Sequence, residues 1–200
     1  MTRREKAKKK TRRLFRRVIH SALAVQEEIK VSEWAEKYRV LDESSNLSGK
    51  WSNDVTPYLV EIMDTLNDPH IREVYLCKGS QLGGDRSPDQ YGWMYLISEE
   101  PGPTMIVYPS DDLAKDISND KLKPAFRLIP KVKKQFYENA SKELRLKFKN
   151  MTVYLRGAGS PSKLASKAIK YLFFDEIDKM GGASKKRHLP TILPWSVLKH

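Results

Sequence analysis

Four short apolar runs, at residues 74–77, 105–108, 153–155 and 171–174, constrain what this chain can fold into more than any other feature. Each is short and strand-like, and helical patterns separate them. One helix is predicted to begin near Ser110 and to carry Leu113, Ala114 and Ile117. Short apolar strands alternating with helices predict an α/β fold with a mostly parallel sheet covered on both faces. A chain of 200 residues with 40% hydrophobic content is long enough to bury one such core, with a short extension ahead of it.

That extension is basic and helical. Residues 3–17 are dominated by Arg and Lys, with Glu5 the sole acid, so the block is a solvated arm until it meets an anion. Leu14, Val18, Ile19, Leu23 and Val25 then recur at helical spacing. A second helix is predicted from Ser32, read as its N-cap, through Trp34, Tyr38 and Val40. Residues 42–50 are turn-rich and read as a linker. A third helix follows Pro57, with Leu59, Ile62, Met63 and Leu66 on one face.

The net charge of +12 and pI near 9.6 favour a polyanionic partner: DNA, RNA or an acidic surface. The alternative is a soluble protein with one basic tail. The single cysteine, Cys77, excludes an internal disulfide and a Cys-based zinc cluster, and its apolar neighbours make it a core residue rather than a reactive thiol. No apolar stretch approaches the roughly 20 residues needed to span a bilayer, and the basic N-terminus lacks the apolar region of a secretory signal. The expectation is a soluble, cytoplasmic protein with no membrane contact.

The strongest chemical signal is Tyr171-Leu172-Phe173-Phe174-Asp175-Glu176-Ile177-Asp178. A buried strand ending in two acids places them where open parallel sheets bind ligands. In P-loop ATPases the first acid holds Mg²⁺ and the second orients or deprotonates the attacking water. The spacing therefore assigns Asp175 to the metal and Glu176 to the general base. The plainer alternative is a strand ending in solvated acids. The partner signal is Lys78-Gly79-Ser80-Gln81-Leu82-Gly83-Gly84, just after the strand at 74–77. Glycines let backbone N–H groups approach phosphate, and a following helix start favours anions. The standard loop ends Gly-Lys-Ser/Thr, whereas here Gly84 and Asp85 occupy those positions. Taken alone, this is an ordinary Gly-rich turn.

The order of the two signals, each behind a strand, matches one nucleotide site. Lys78 to Gly84 resembles the deviant Walker A loop of phage large terminase subunits of the lambda-like family, whose lysine stands at the front of the loop. Further segments resemble that family in the same order: Trp51 with Pro57-Tyr58 and Glu61-Ile62-Met63, Pro101-Gly102-Pro103, Tyr108-Pro109-Ser110, Leu122-Lys123-Pro124, Gly157-Ala158-Gly159-Ser160-Pro161, Leu164-Ala165-Ser166, and the Walker B run through Met180. The resemblance covers roughly residues 31–186.

It implies a RecA-like P-loop ATPase core within a motor that uses ATP and Mg²⁺ to drive double-stranded DNA into a capsid. Lys78 would bind phosphate, Asp175 the Mg²⁺, and Glu176 would activate water. Trp51 or Tyr58 would pack near the adenine, or more simply serve as core aromatics. The partners implied are the small terminase subunit and the capsid portal, with the motor an oligomer. The implied division is a basic arm and helix over 1–30, an ATPase domain over 31–186 and a tail over 187–200.

Two departures qualify this. The family continues its loop with Thr-Glu and an apolar helix, but here the run is Asp85-Arg86-Ser87-Pro88-Asp89-Gln90. An Asp facing phosphate oxygens costs about 4 kcal/mol per unit-charge pair at 4 Å and an effective dielectric near 20. Mg²⁺ offsets this if Asp85 is its ligand. Pro88 is tolerated only if the helix starts just before it. After Lys186 the sequence no longer resembles the family, and no acidic nuclease cluster follows, so a truncated or frameshifted reading frame is expected. His188 and His200 have no spacing that suggests a metal site. The alternatives to a packaging ATPase are an inactive prophage remnant and a helicase-like nucleic-acid ATPase.

Overall fold

The computed structural model describes residues 29–41, 48–77, 88–159, 167–180 and 194–199, together with Glu5, Thr11, Arg12 and Phe15. The residues that carry the predicted helix (Leu14, Val18, Ile19, Leu23 and Val25), the loop 78–84 with Asp85, and the segment 160–166 lie outside the described residues.

All four predicted strands form. They are β3 (Glu73–Cys77), β4 (Thr104–Tyr108), β6 (Thr152–Gly157) and β7 (Tyr171–Phe174). With β5 (Arg145–Lys147) and β8 (Pro194–Lys199) they make a six-stranded sheet in the order β3-β8-β7-β4-β6-β5. β4 pairs in parallel with both β6 and β7, while β8 lies antiparallel between β3 and β7. The strands β3, β7, β4 and β6 therefore all run the same way, and only β8 and the edge strand β5 oppose them. β4 sits at the centre and is buried at every position, as expected of a strand shielded on both faces.

Helices α1 (Val31–Tyr38), α2 (Tyr58–Asp64), α3 (Pro88–Ser98), α4 (Asp111–Asp116), α5 (Lys123–Leu128) and α6 (Pro130–Lys133) supply the rest of the core. α3 begins at Pro88, where the missing N–H costs nothing. From Trp93 to Ile97 every residue of α3 is buried, so it is an interior helix rather than an amphipathic one. Ser110 caps α4, its hydroxyl accepting from the Leu113 N–H at 3.1 Å. α4 runs on through a π-helical stretch, Ile117–Leu122, into α5. Pro124 lies in the first turn of α5 and cannot donate to the carbonyl four residues back; the wide π turn ahead of it absorbs that loss. Phe126 on α5 forms edge-to-face contacts with Trp93, Phe136 and Phe148 at 5.1–5.3 Å between centroids.

The N-terminal elements differ from expectation in three places. α1 starts at Val31, so Ser32 lies in its first turn, buried, and is not the cap. The first amides are instead capped from a distance: Val31 N–H donates to Asn67 Oδ1 at 2.9 Å and Ser32 N–H to Asp64 Oδ1 at 3.0 Å. Val40 is not helical but begins a short strand, β1 (Val40–Leu41). Gly49 and Lys50, read as linker, form β2 and pair with it. Gly49 takes φ +115°, a conformation that L side chains rarely adopt.

Candidate functional site

β3, β7, β4 and β6 all end at the same edge of the sheet, and the chemistry follows from that edge. The chain leaves β3 at Cys77 directly into the Gly-rich segment, and leaves β7 at Phe174 into Asp175 and Glu176. One strand, β8, separates the two exits, so they stand about 10 Å apart at ordinary strand spacing. Asp175 extends the sheet by one bond, its N–H donating to Val107 O at 3.0 Å. Its backbone is thereby tied to the ladder of the central strand.

The next residue breaks the regular conformation. Glu176 adopts φ 54° and ψ 49°, the left-handed region, and is the one non-glycine residue with positive φ among those described. Such a backbone costs on the order of 1–3 kcal/mol and persists only where its surroundings enforce it. Here a 3₁₀ turn, Ile177–Lys179, follows at once. Lys179 Nζ lies 2.7 Å from Glu176 Oε1, and Lys179 N–H donates to Glu176 O at 2.9 Å. The hydrogen bond to Glu176, helped by the negative charges of Glu176, Asp178 and Asp175, holds the Lys179 ammonium above its ordinary pKa. Asp175 and Glu176 are half-buried; Asp178 and Lys179 are exposed. The one signal for Lys179 in the sequence is its spacing of three residues from Glu176, which does not by itself announce the turn that brings the two together.

No group of three or more His, Cys, Asp or Glu side chains that could hold a metal exists among the described residues. An ion such as Mg²⁺ takes one or two carboxylates and completes its shell with water and substrate phosphate. Asp175, a hard oxygen donor whose backbone is anchored at the sheet edge, fits that role. Of the two aromatics considered for a base-stacking role, Trp51 is a core residue, 2% exposed, with its Nε1–H on Asn53 Oδ1 at 2.8 Å. Tyr58 is 55% exposed at the start of α2, so it is not a core aromatic.

A mixed α/β sheet whose same-sense strands end at one edge, with an acidic pair following one of them, defines an open-sheet α/β domain. Residues 45–195 match the family described as phage terminase large subunit gpA, ATPase domain, and the chain belongs to that family. No curated protein matches the chain. Among the described residues no helix is long and apolar enough to cross a membrane.

Proposed function

We propose that this chain is the ATP-hydrolysing portion of a viral DNA-packaging motor, with a RecA-like P-loop core. The observation that carries this reading is the shared edge: the Gly-rich segment leaves β3 at the same end of the sheet where β7 delivers Asp175 and Glu176. Lys78 and the backbone from Gly79 to Gly84 bind the phosphates of ATP. Asp175 serves Mg²⁺, with Asp85 a second carboxylate for the same ion. When bound, Mg²⁺ neutralises charge on the phosphates. Glu176 takes the proton of the attacking water. The arm over residues 3–17 contacts double-stranded DNA, and the small terminase subunit and capsid portal complete an oligomeric motor in the host cytoplasm.

A second reading, a nucleotide-binding but inactive remnant, is favoured by one observation. The carboxylate of Glu176 is held in an ion pair with Lys179, and a base so engaged must exchange its partner before accepting a proton. ATP binding and turnover by the purified chain, with and without Mg²⁺ and beside Glu176→Gln, separate the two. Mg²⁺-dependent turnover that falls by about 10²–10⁴-fold in Glu176→Gln is the expected result. Turnover indifferent to that substitution removes Glu176 as the base, and binding without turnover favours the remnant.

A further inference from the structure

The face of the sheet opposite the main core carries an unneutralised basic cluster at its β5–β6 edge. The core face is set by alternation: Leu146, Val153, Leu155, Ile106, Tyr171 and Phe173 join the helices in one hydrophobic cluster. The intervening residues point the other way. Register places Arg145 beside Tyr154 and Lys147 beside Thr152, while Arg156 follows Tyr154 on the same face. Arg145 and Lys147 are exposed on either side of buried Leu146. Arg156 and Lys167 both stand over the Tyr154 ring, at 5.6 and 5.7 Å from its centroid.

None of these four cations forms an ion pair among the described residues. Arg156 donates from Nη1 to the backbone carbonyls of Leu144 and Leu155, at 3.0 and 2.7 Å, rather than to a carboxylate. The surroundings order these charges without cancelling them: a ring face and carbonyls localise a cation and leave its net charge intact. Five basic residues elsewhere on the domain are differently placed. Lys115, Arg127, Lys131, Lys170 and Lys179 each sit against an acid. A set of ordered, uncompensated cations on a two-strand surface is matched by a dense row of negative charge. Duplex DNA offers one about every 1.7 Å of axis.

We propose that the outer β5–β6 face, with Arg145, Lys147, Arg156 and Lys167 around Tyr154, docks the phosphate backbone of double-stranded DNA, as a contact separate from the basic arm. This rests on the reading that the chain's polyanionic partner is DNA. The contact is with phosphate alone, so it carries no sequence preference.

The test is binding of the full chain to a random-sequence duplex across a salt series, for wild type and for Arg145→Gln/Lys147→Gln/Lys167→Gln. Each lost phosphate contact flattens the log–log salt slope by about 0.9, so the triple variant should be shallower by about 3. A comparison protein, Lys37→Gln/Lys50→Gln/Arg72→Gln, loses the same charge elsewhere and should keep the wild-type slope. Equal thermal midpoints for the three proteins confirm that the fold is intact. An unchanged slope in the first variant, or an equal loss in both, overturns the assignment while leaving DNA as the partner. Wild type that does not bind duplex overturns the DNA reading and this surface with it. Lost binding to polyglutamate with an unchanged duplex slope reassigns the face to an acidic protein surface and overturns the proposal.

Discussion

Gly157, at the end of β6, donates its N–H to the Asp111 carboxylate at 2.6 Å, and its Cα faces the backbone where α4 begins. A Cβ at residue 157 would collide with the Asp111 N and lie 2.7 Å from the Ser110 carbonyl carbon. The obstacle is main chain, so no rotamer change relieves it.

Gly157→Ala should therefore destabilise the domain by about 1–3 kcal/mol, the usual cost of overpacking. Gly92→Ala is the instructive contrast: its Cβ meets the Cδ1 of Leu66, a side-chain end that can turn aside. Urea denaturation of both variants should show the larger drop in midpoint for Gly157→Ala. Equal losses would mean that the β6–α4 junction yields as readily as a leucine.

The left-handed backbone at Glu176 makes activity and stability separable. Glu176→Gly relieves a strain on the order of 1–3 kcal/mol but adds about 0.4–1 kcal/mol of unfolded-state entropy. The net expectation is a domain as stable as wild type, or more stable by up to about 2.6 kcal/mol. Turnover should be lost in the same protein. A clearly lowered thermal midpoint would show that the Lys179 contact, not the surroundings, sustains the turn.

Stability at high pH should report on Lys131. Burial works against its charge, but the hydrogen bond to Glu99 at 2.7 Å, the Glu99 charge and Tyr38 outweigh it and raise the ammonium pKa. A cation with a raised folded pKa contributes fully below the ordinary lysine value of about 10.4, and that contribution is lost as pH rises through the folded value. Lys131→Met should cost about 1 kcal/mol at pH 7, discounted for partial exposure. The gap to wild type should narrow by about pH 11. Denaturant titrations at the two pH values measure this, and a constant gap would assign the cost to lost packing on Tyr38.

The runs at 105–108, 153–155 and 171–174 were legible because each carries buried ladder positions, and the bounds of β7 match its run to the residue; β3 was legible from its apolar sequence although Tyr75 is exposed. β5 was not, because Arg145-Leu146-Lys147 buries one side chain and presents two cations, which reads as loop. The cap of α1 was misplaced for a related reason. Ser32 is chemically suited to capping, but Asp64 and Asn67 occupy those amides from far along the chain, and local sequence carries no record of that. At the site, the Asp175–Glu176 pair was visible as a strand ending in acids. The left-handed turn and the Lys179 partner were not, since nothing in Glu-Ile-Asp-Lys announces a positive φ.

The distant capping of α1 sets an order of events during synthesis. Its amide acceptors lie 36 and 32 residues downstream, and the Glu99 that receives Trp34 Nε1–H lies 65 residues downstream. A helix of 8 residues with no cap of its own does not persist alone in water. The segment must therefore leave the ribosome unstructured and wait for α3 before it can close. Its formation follows the synthesis of α3, so α1 cannot nucleate the domain.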